Sequence, residues 1–332
     1  MSSKPTHLRS ALFVLTVTFP LTLFAAEQMA EIQAWLEKMQ QAIHTRNYIG
    51  TFVYGQRDQL SSVKIIHRVT ASGEQERLIS MDGTGRQVVR NGNKVTCVMP
   101  DRKAVVVGKA RPGKQFPPVF PLRLDTLTDY YTFTLSGLDK VAGRVTQRIS
   151  ISPRDKYRYG HQLWVDKETG LLLKTLLLNE RGKPIEQFVF TNIKYVDTIA
   201  DELLDPDLKR DEFTWYRDQD IKGDKPAKKM RGMLVSWLPP GFKHDMQKMQ
   251  KLSTNTMPVE HMVFSDGLAS ISVFIEEELQ HDPANLIGGS RIGAISAHGR
   301  SLGEYHVTVV GEVPHITVQK ISDSVEYSGE ND

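Results

Sequence analysis

Cysteine is nearly absent from this chain. The 332 residues hold one, Cys97, which excludes an internal disulfide framework and any multi-cysteine zinc site. Charge of one sign is not in excess either. The balance of 42 basic and 39 acidic residues is +3, too even for a dedicated nucleic-acid binder. Neither a Gly-x-y period nor a long heptad occurs, so collagen and coiled-coil rods are out. Beyond the first 26 residues no run approaches the roughly 20 apolar residues of a membrane helix. Catalytic signatures are missing too: there is no His-Glu-x-x-His, no P-loop and no Gly-x-Ser-x-Gly elbow. Gly83-Thr-Gly85 lacks the third glycine and the following helix of a dinucleotide fingerprint. The ten histidines lack ligand spacing, His244 with His261 included. No metal, cofactor or catalytic residue is expected.

What is present suffices for a folded protein. Apolar residues make up 40 % and charged residues 24 %, enough for packed cores and against wholesale disorder. The length predicts about two domains. Residues 1–26 read as an export signal: Lys4 and Arg9 start it, Ala11 to Phe24 is mostly apolar, and Ala25-Ala26 ends it. Cleavage is expected after Ala26, although Phe24 occupies a position that prefers a small residue; an uncleaved anchor is the alternative. With no cysteine at the cut, a lipid anchor is not expected.

From Gln28 to Thr45 apolar residues recur at helical spacing: Ile32, Trp35, Leu36, Met39 and Ile43. The period then changes to two. Strands are predicted at 48–55, 62–70, 74–80, 86–90, 94–99 and 104–108, separated by Ser72-Gly73, Asp82-Gly83 and Asn91-Gly92 turns. A second series is predicted at 131–135, 143–150, 159–165, 171–179 and 185–195. Asp166-Lys-Glu-Thr-Gly170 is a hairpin turn with glycine placed for a positive φ. About eleven antiparallel strands must curl into a barrel or part of one. An open barrel presents a concave apolar face that suits a ligand. Between the two series, Arg111 to Pro121 holds four prolines with Phe116 and Phe120. It is either a cap on the core or a lid on a lipid or peptide groove.

Residues 216–231 carry six cations against three anions and almost no apolar side chain, as expected of a linker. The domain reading is therefore a signal at 1–26, a half-barrel at 27–215, the linker, and a smaller α+β unit at 232–332. The net charges are +5 for 27–215, +3 for the linker and −7 for the last part. In that last part strands are predicted at 259–265 and 268–276 around Asp266-Gly267, and at 292–298 and 305–310. A helix is predicted from Pro314 to Val325. Cys97 reads as a buried small hydrophobe. Glu276-Glu277-Glu278 reads as a solvated run. Arg154, Lys156 and Arg158, interleaved with Tyr157 and Tyr159, read as a solvated turn or a set facing phosphates.

Several of these segments together resemble the MucB/RseB family: Tyr48-Ile-Gly-Thr-Phe-Val-Tyr54, the proline-rich loop, Phe264-Ser-Asp-Gly-Leu-Ala-Ser-Ile-Ser-Val-Phe-Ile-Glu276 and Thr308-Val-Val-Gly-Glu-Val-Pro314. Trp164 to Lys174 is similar to a hairpin of LolA/LolB-type lipoprotein carriers. The resemblance spans essentially all of the chain after the leader. It implies an α+β protein: a curved antiparallel half-barrel with helices, like LolA and LolB, followed by a smaller domain. It also implies a non-enzymatic, soluble periplasmic regulator. Such a protein binds the periplasmic part of a membrane anti-sigma factor, RseA or MucA, and blocks its proteolysis. Lipid, lipopolysaccharide or mislocalised lipoprotein releases the block. A homo-oligomer is compatible with the family; nucleic acid is not a partner. A lipid or lipoprotein carrier without signalling is the alternative, and an envelope hydrolase lacks a nucleophile–base pair. Chemistry, rather than the resemblance, selects Phe52, Tyr54, Phe116, Phe120, Trp164, Leu172 and Phe188 for a lipid groove. It selects Trp237, Leu238, Phe242, Phe264 and the linker cations for the anti-sigma surface.

Overall fold

The computed structural model describes residues 21–56, 59–109, 124–206, 208–217, 232–251, 258–277 and 285–327. Helix α1 (Leu21–Thr45) opens it and runs through Ala26, the expected cleavage point; most of the expected leader lies outside the described residues. Six strands follow as hairpins: β1 (Tyr48–Gln56), β2 (Gln59–Thr70), β3 (Gly73–Ser80), β4 (Gln87–Asn91), β5 (Lys94–Met99) and β6 (Ala104–Lys109). Five more form the second series: β7 (Tyr131–Val141), β8 (Arg144–Pro153), β9 (Gly160–Asp166), β10 (Leu172–Leu178) and β11 (Pro184–Tyr195). The eleven predicted strands are all present. A short helix α2 (Asp201–Leu204) leads to a twelfth strand that the pattern did not reveal, β12 (Thr214–Arg217). It joins β6 in parallel, the single parallel pair of the sheet. The order is β12-β6-β5-β4-β3-β2-β1-β11-β10-β9-β8-β7.

One face of this sheet carries the main core. The stripe Ile32, Leu36, Met39 and Ile43 of α1 is fully buried against Tyr48, Phe52, Ile149, Leu163, Phe188 and Phe190. The β9–β10 turn forms as its sequence dictates. Gly170 has φ +81°, and a Cβ there would come within 2.7 Å of the Lys38 carbonyl oxygen on α1. Asp166, almost sealed from water, accepts from the Glu168 amide of the same turn, from the Tyr195 hydroxyl at the end of β11 and from Arg144 at the start of β8. On the opposite face, Ile199 and Leu204 of the α2 segment pack on Ile49, Ile66 and Ile79.

The rest of the chain makes a second, smaller unit. Its elements are β13 (Met233–Val235), β14 (Lys243–Lys251), β15 (Pro258–Ser265), β16 (Ser270–Glu277), β17 (Gly288–Ile292), β18 (Ile295–Leu302), β19 (Tyr305–Gly311), α3 (His315–Ser324) and β20 (Val325–Tyr327). Six strands form an antiparallel sheet in the order β14-β15-β16-β19-β18-β17, and β13 pairs with β20. Helix α3 lays Val318 and Ile321 on Ile271, Val273, Val307 and Val309. Pro314 is its N-cap residue rather than part of its first turn. The predicted strand 292–298 is two strands: Gly293, at φ +61°, turns the chain so that Ile292 faces Ile295. No helix among the described residues is long and apolar enough to cross a membrane.

Candidate functional site

Antiparallel partners share a sheet face, so register shows what each face offers. Phe52, Tyr54 and Phe188 lie on the core face, where Phe52 and Phe188 are 3 % exposed beneath the α1 layer and Tyr54 is partly buried. Leu172 is fully buried in the same core. Trp164 is 3 % exposed and belongs to the same buried cluster, but its side chain leaves the sheet on the other side. It pairs with Lys174, which pairs with Val189, whereas Phe188 pairs with Thr175 and, through it, Leu163. Trp164 therefore sits on the opposite face, donating its indole N–H to Asp139 at 2.9 Å with Lys174 over its ring. Phe116 and Phe120 lie outside the described residues.

The same register exposes a row that sequence reasoning did not select. From Gly50 of β1 it steps through Ile65, Leu78, Val88, Cys97, Val106 and Tyr216 on six successive strands. Ile65 is sealed; Leu78, Val88 and Cys97 are half-buried; Val106 and Tyr216 are 37 % and 54 % exposed. Thus one half of the curved face is filled and the other is an apolar ramp rising to the surface. Cys97 is half-buried on that ramp, and desolvation raises its thiol pKa, the reverse of an activated thiolate. Alternation was visible in each strand; which alternate residues stay uncovered is set by tertiary packing, which alternation does not reveal.

Beside the ramp runs a polar rank: Tyr48, His67, Glu76 and Arg90, paired across β1 to β4. The Tyr48 ring stacks on His67 at 4.8 Å, and its buried hydroxyl has no hydrogen-bond partner among the described residues. Burial holds His67 below its ordinary pKa and lifts Glu76 to about 7 against the pull of Arg90. On the other side of the sheet, a hollow of about 990 Å³ is lined by Val89, Thr96, Asp201, Glu202, Leu208 and Trp215.

The second candidate region is the seam between the sheets. Arg158 is completely buried there, contrary to the expectation of a solvated or phosphate-facing turn. Its guanidinium donates to Asp266 Oδ2 at 2.8 Å, to Asp155 Oδ1 at 3.2 Å and to the Pro240 carbonyl. The rings of Tyr130, Tyr131 and Phe242 surround it at 5.1, 5.3 and 5.2 Å. Asp266 also accepts the Tyr131 hydroxyl at 2.8 Å and the Leu268 and Ala269 amides. Its dipeptide with Gly267 reads as a turn from sequence, and it is one; its second role needs a partner more than a hundred residues away.

Of the residues selected for partner binding, Trp237 and Phe242 reach this seam. Trp237 meets Tyr157 edge-on at 5.2 Å, with Lys320 over its ring. Leu238 is partly buried; Phe242 and Phe264 are 6 % and 5 % exposed within the second core. Thr317 donates to the Tyr157 carbonyl at 2.8 Å. The linker cations beyond Arg217 lie outside the described residues.

The model of the MucB/RseB N-terminal domain matches residues 31–208, and that of the MucB/RseB C-terminal domain matches 227–326. The chain belongs to the MucB/RseB family. It is 32 % identical over 308 residues to the sigma factor AlgU regulatory protein MucB of Pseudomonas aeruginosa, covering 90 % of this chain and 92 % of that one. It is 26 % identical over 311 residues to the sigma-E factor regulatory protein RseB of Haemophilus influenzae, covering 91 % and 93 %. Among solved structures, the Pseudomonas aeruginosa MucA/MucB complex matches with a TM-score of 0.69 and 29 % identity, over 90 % of this chain and 99 % of that chain. A crystal structure of MucB matches with a TM-score of 0.60 and 30 % identity, over 90 % and 98 %. MucB/RseB relatives are regulatory proteins, not enzymes.

Proposed function

We propose that this chain is an exported, periplasmic negative regulator of an envelope-stress sigma factor. It binds the periplasmic region of a membrane anti-sigma factor of the MucA/RseA kind and keeps that region from regulated proteolysis. The observation that carries this reading is the match of both domains, in order, to a fold solved in complex with MucA. Acyl chains of lipid or lipopolysaccharide then act as the releasing signal, seated on the ramp from Leu78 to Tyr216. Five strands at about 4.8 Å spacing give that ramp about 19 Å of width. Each CH₂ it buries contributes about 0.8 kcal/mol. A ligand that prefers the free regulator weakens anti-sigma binding by the same factor by which the anti-sigma segment weakens its own.

The test is a titration of the chain from Glu27 onward with its cognate anti-sigma periplasmic region, with and without lipopolysaccharide. Affinity that falls as lipid is added supports regulator and switch together. Affinity indifferent to lipid removes lipid as the signal. Lipid binding without anti-sigma binding moves the assignment to a carrier. Val106→Asp places a charge on the ramp without touching the core; it is expected to abolish the lipid effect and spare anti-sigma affinity.

A further inference from the structure

The two larger sheets have four open edges, and three of them are blunted. β12 is four residues long. β7 bulges between Ser136 and Leu138 and carries Lys140. β14 bulges between His244 and Met246 and carries Lys243, Lys248 and Lys251. Short strands, bulges and lysines are the usual devices that stop an edge from pairing with another chain.

β17 has no bulge and no lysine; it is five residues long, and its charged residue, Arg291, is turned to the Gly293 carbonyl and the Tyr159 ring. Its register with β18 runs unbroken from Gly288 opposite Gly299 to Ile292 opposite Ile295. It contains no lysine and no proline, and among the described residues no strand pairs with its outer side. Ile292 and Ile295 face each other at 72 % and 47 % exposure, and Ile287, just before the strand, is 58 % exposed. The inner face is closed: a Cβ on Gly289 would come within 2.2 Å of the His315 ring of α3. On the opposite face the Leu286 backbone covers Gly299 at the Gly288 end, and what stays open is the outer edge with Ser290 and Ile292. The far end of β17 abuts the first domain. Ala294 is buried with Tyr159 and Leu177, and Gln56 of β1 lies against Gly293. Leu60, on the hairpin that continues from Gln56, is 65 % exposed.

We propose that β17 is the docking edge for an extended segment of the anti-sigma factor's periplasmic region, which adds a seventh strand to the smaller sheet. This rests on the regulator reading above. An edge of unpaired N–H and C=O groups is matched by extended polypeptide, and alternate apolar side chains of the incoming strand fall on Ile292 and Ile295. Continued past Ile292, that strand runs toward the first domain, where Gln56 lies against Gly293. A second copy of this chain is the weaker occupant. Two five-residue strands paired about a two-fold axis fall well short of the about 1,200 Å² that a stable interface buries.

The experiment measures binding of the cognate periplasmic region to the wild type, Ile292→Lys and Ser290→Lys, with Leu138→Lys on the β7 edge as control. Amide exchange over 288–292 is followed in the wild type with and without partner. The expected result is at least tenfold weaker binding for both edge variants and a change under twofold for the control. Exchange at 288–292 should slow only when partner is bound. Wild-type affinity in both edge variants, or unaltered exchange at 288–292 in the saturated complex, overturns the docking edge and leaves the regulator standing. Failure of the wild type to bind overturns the regulator reading and this proposal with it. A dimer that Ile292→Lys dissolves without changing partner affinity gives the edge to a second copy and overturns it too. If a lysine variant does not fold, the exchange measurement on the wild type decides alone.

Discussion

A guanidinium sealed from water must have its donors matched, and Arg158 meets that demand with Asp266, Asp155 and the Pro240 carbonyl. Removing one partner strands a buried charge. Asp266→Ala is expected to cost about 3–5 kcal/mol, whereas Arg158→Met with Asp266→Leu, which removes both charges, should cost far less. Urea denaturation, reading the midpoint at constant slope, separates the two; equal losses would mean the ion pair is not what matters at the seam. This residue was not legible in the sequence. Arg154-Asp-Lys-Tyr-Arg158 is locally as charged as any solvated turn, and its distinguishing partner lies 108 positions on. Glu76 was hidden for the same reason: only the folded sheet buries it. Its folded pKa, about 7, stands above the ordinary 4.5. The native state therefore holds the extra proton between those values, and its contribution, full below about pH 4.5, is lost as pH rises through 7. Glu76→Gln should flatten stability across pH 5 to 8, a recovery of at most about 3 kcal/mol at the upper end. Parallel pH curves for the two proteins would show that Glu76 is not the titrating group.

Elements were legible where one periodicity ran without interruption. The α1 stripe and most strands of the first sheet are of that kind, and so is the turn glycine at 170; β7 was read only as far as Leu135, just before its bulge. The missed strands broke the pattern. β14 shifts register at its bulge, so its apolar residues change phase. β17 is glycine-rich and polar, and β12 is too short to show alternation. Most of the lipid-groove candidates were aromatics, on strands or on the proline-rich loop, but aromatics are also what a core consumes first. The less covered positions are mostly smaller residues, Val88, Cys97 and Val106, with one aromatic, Tyr216, at the sheet edge. At this scale Gly170 carries a sharp prediction, because it combines a positive φ with the Lys38 backbone 2.7 Å from its would-be Cβ. Gly170→Ala should cost at least the about 1–2 kcal/mol of a left-handed alanine. Gly170→Asn, which tolerates that φ, still meets α1 and should lose nearly as much. A melting temperature for Asn close to the wild type would show that φ alone sets the requirement.

The whole molecule poses a choice between two ways of holding its domains together. The halves carry opposite net charge, +5 before the linker and −7 after it, which suggests attraction between surfaces. The seam instead shows buried contacts: Arg158 with Asp266, Thr317 on the Tyr157 carbonyl, and Trp237 against Tyr157. Salt tells these apart. The screening length falls to about 3 Å at 1 M, which removes attraction between exposed charges but barely reaches a buried pair. Calorimetry of the chain from Glu27 onward should then show one cooperative transition at both low and 1 M salt. The triple variant Asp266→Ala, Trp237→Ala and Thr317→Ala should split it into two, since each domain keeps its own core. Two transitions in the wild type at 1 M salt would mean that surface charge joins the halves. A single transition in the triple variant would place the coupling outside the seam. The outcome bears on regulation directly. In the proposed regulation, lipid on the first domain would alter a partner site on the second only if the two domains share one equilibrium, and the buried contacts at Arg158 supply such a link where exposed charges would leave it at the mercy of ionic strength.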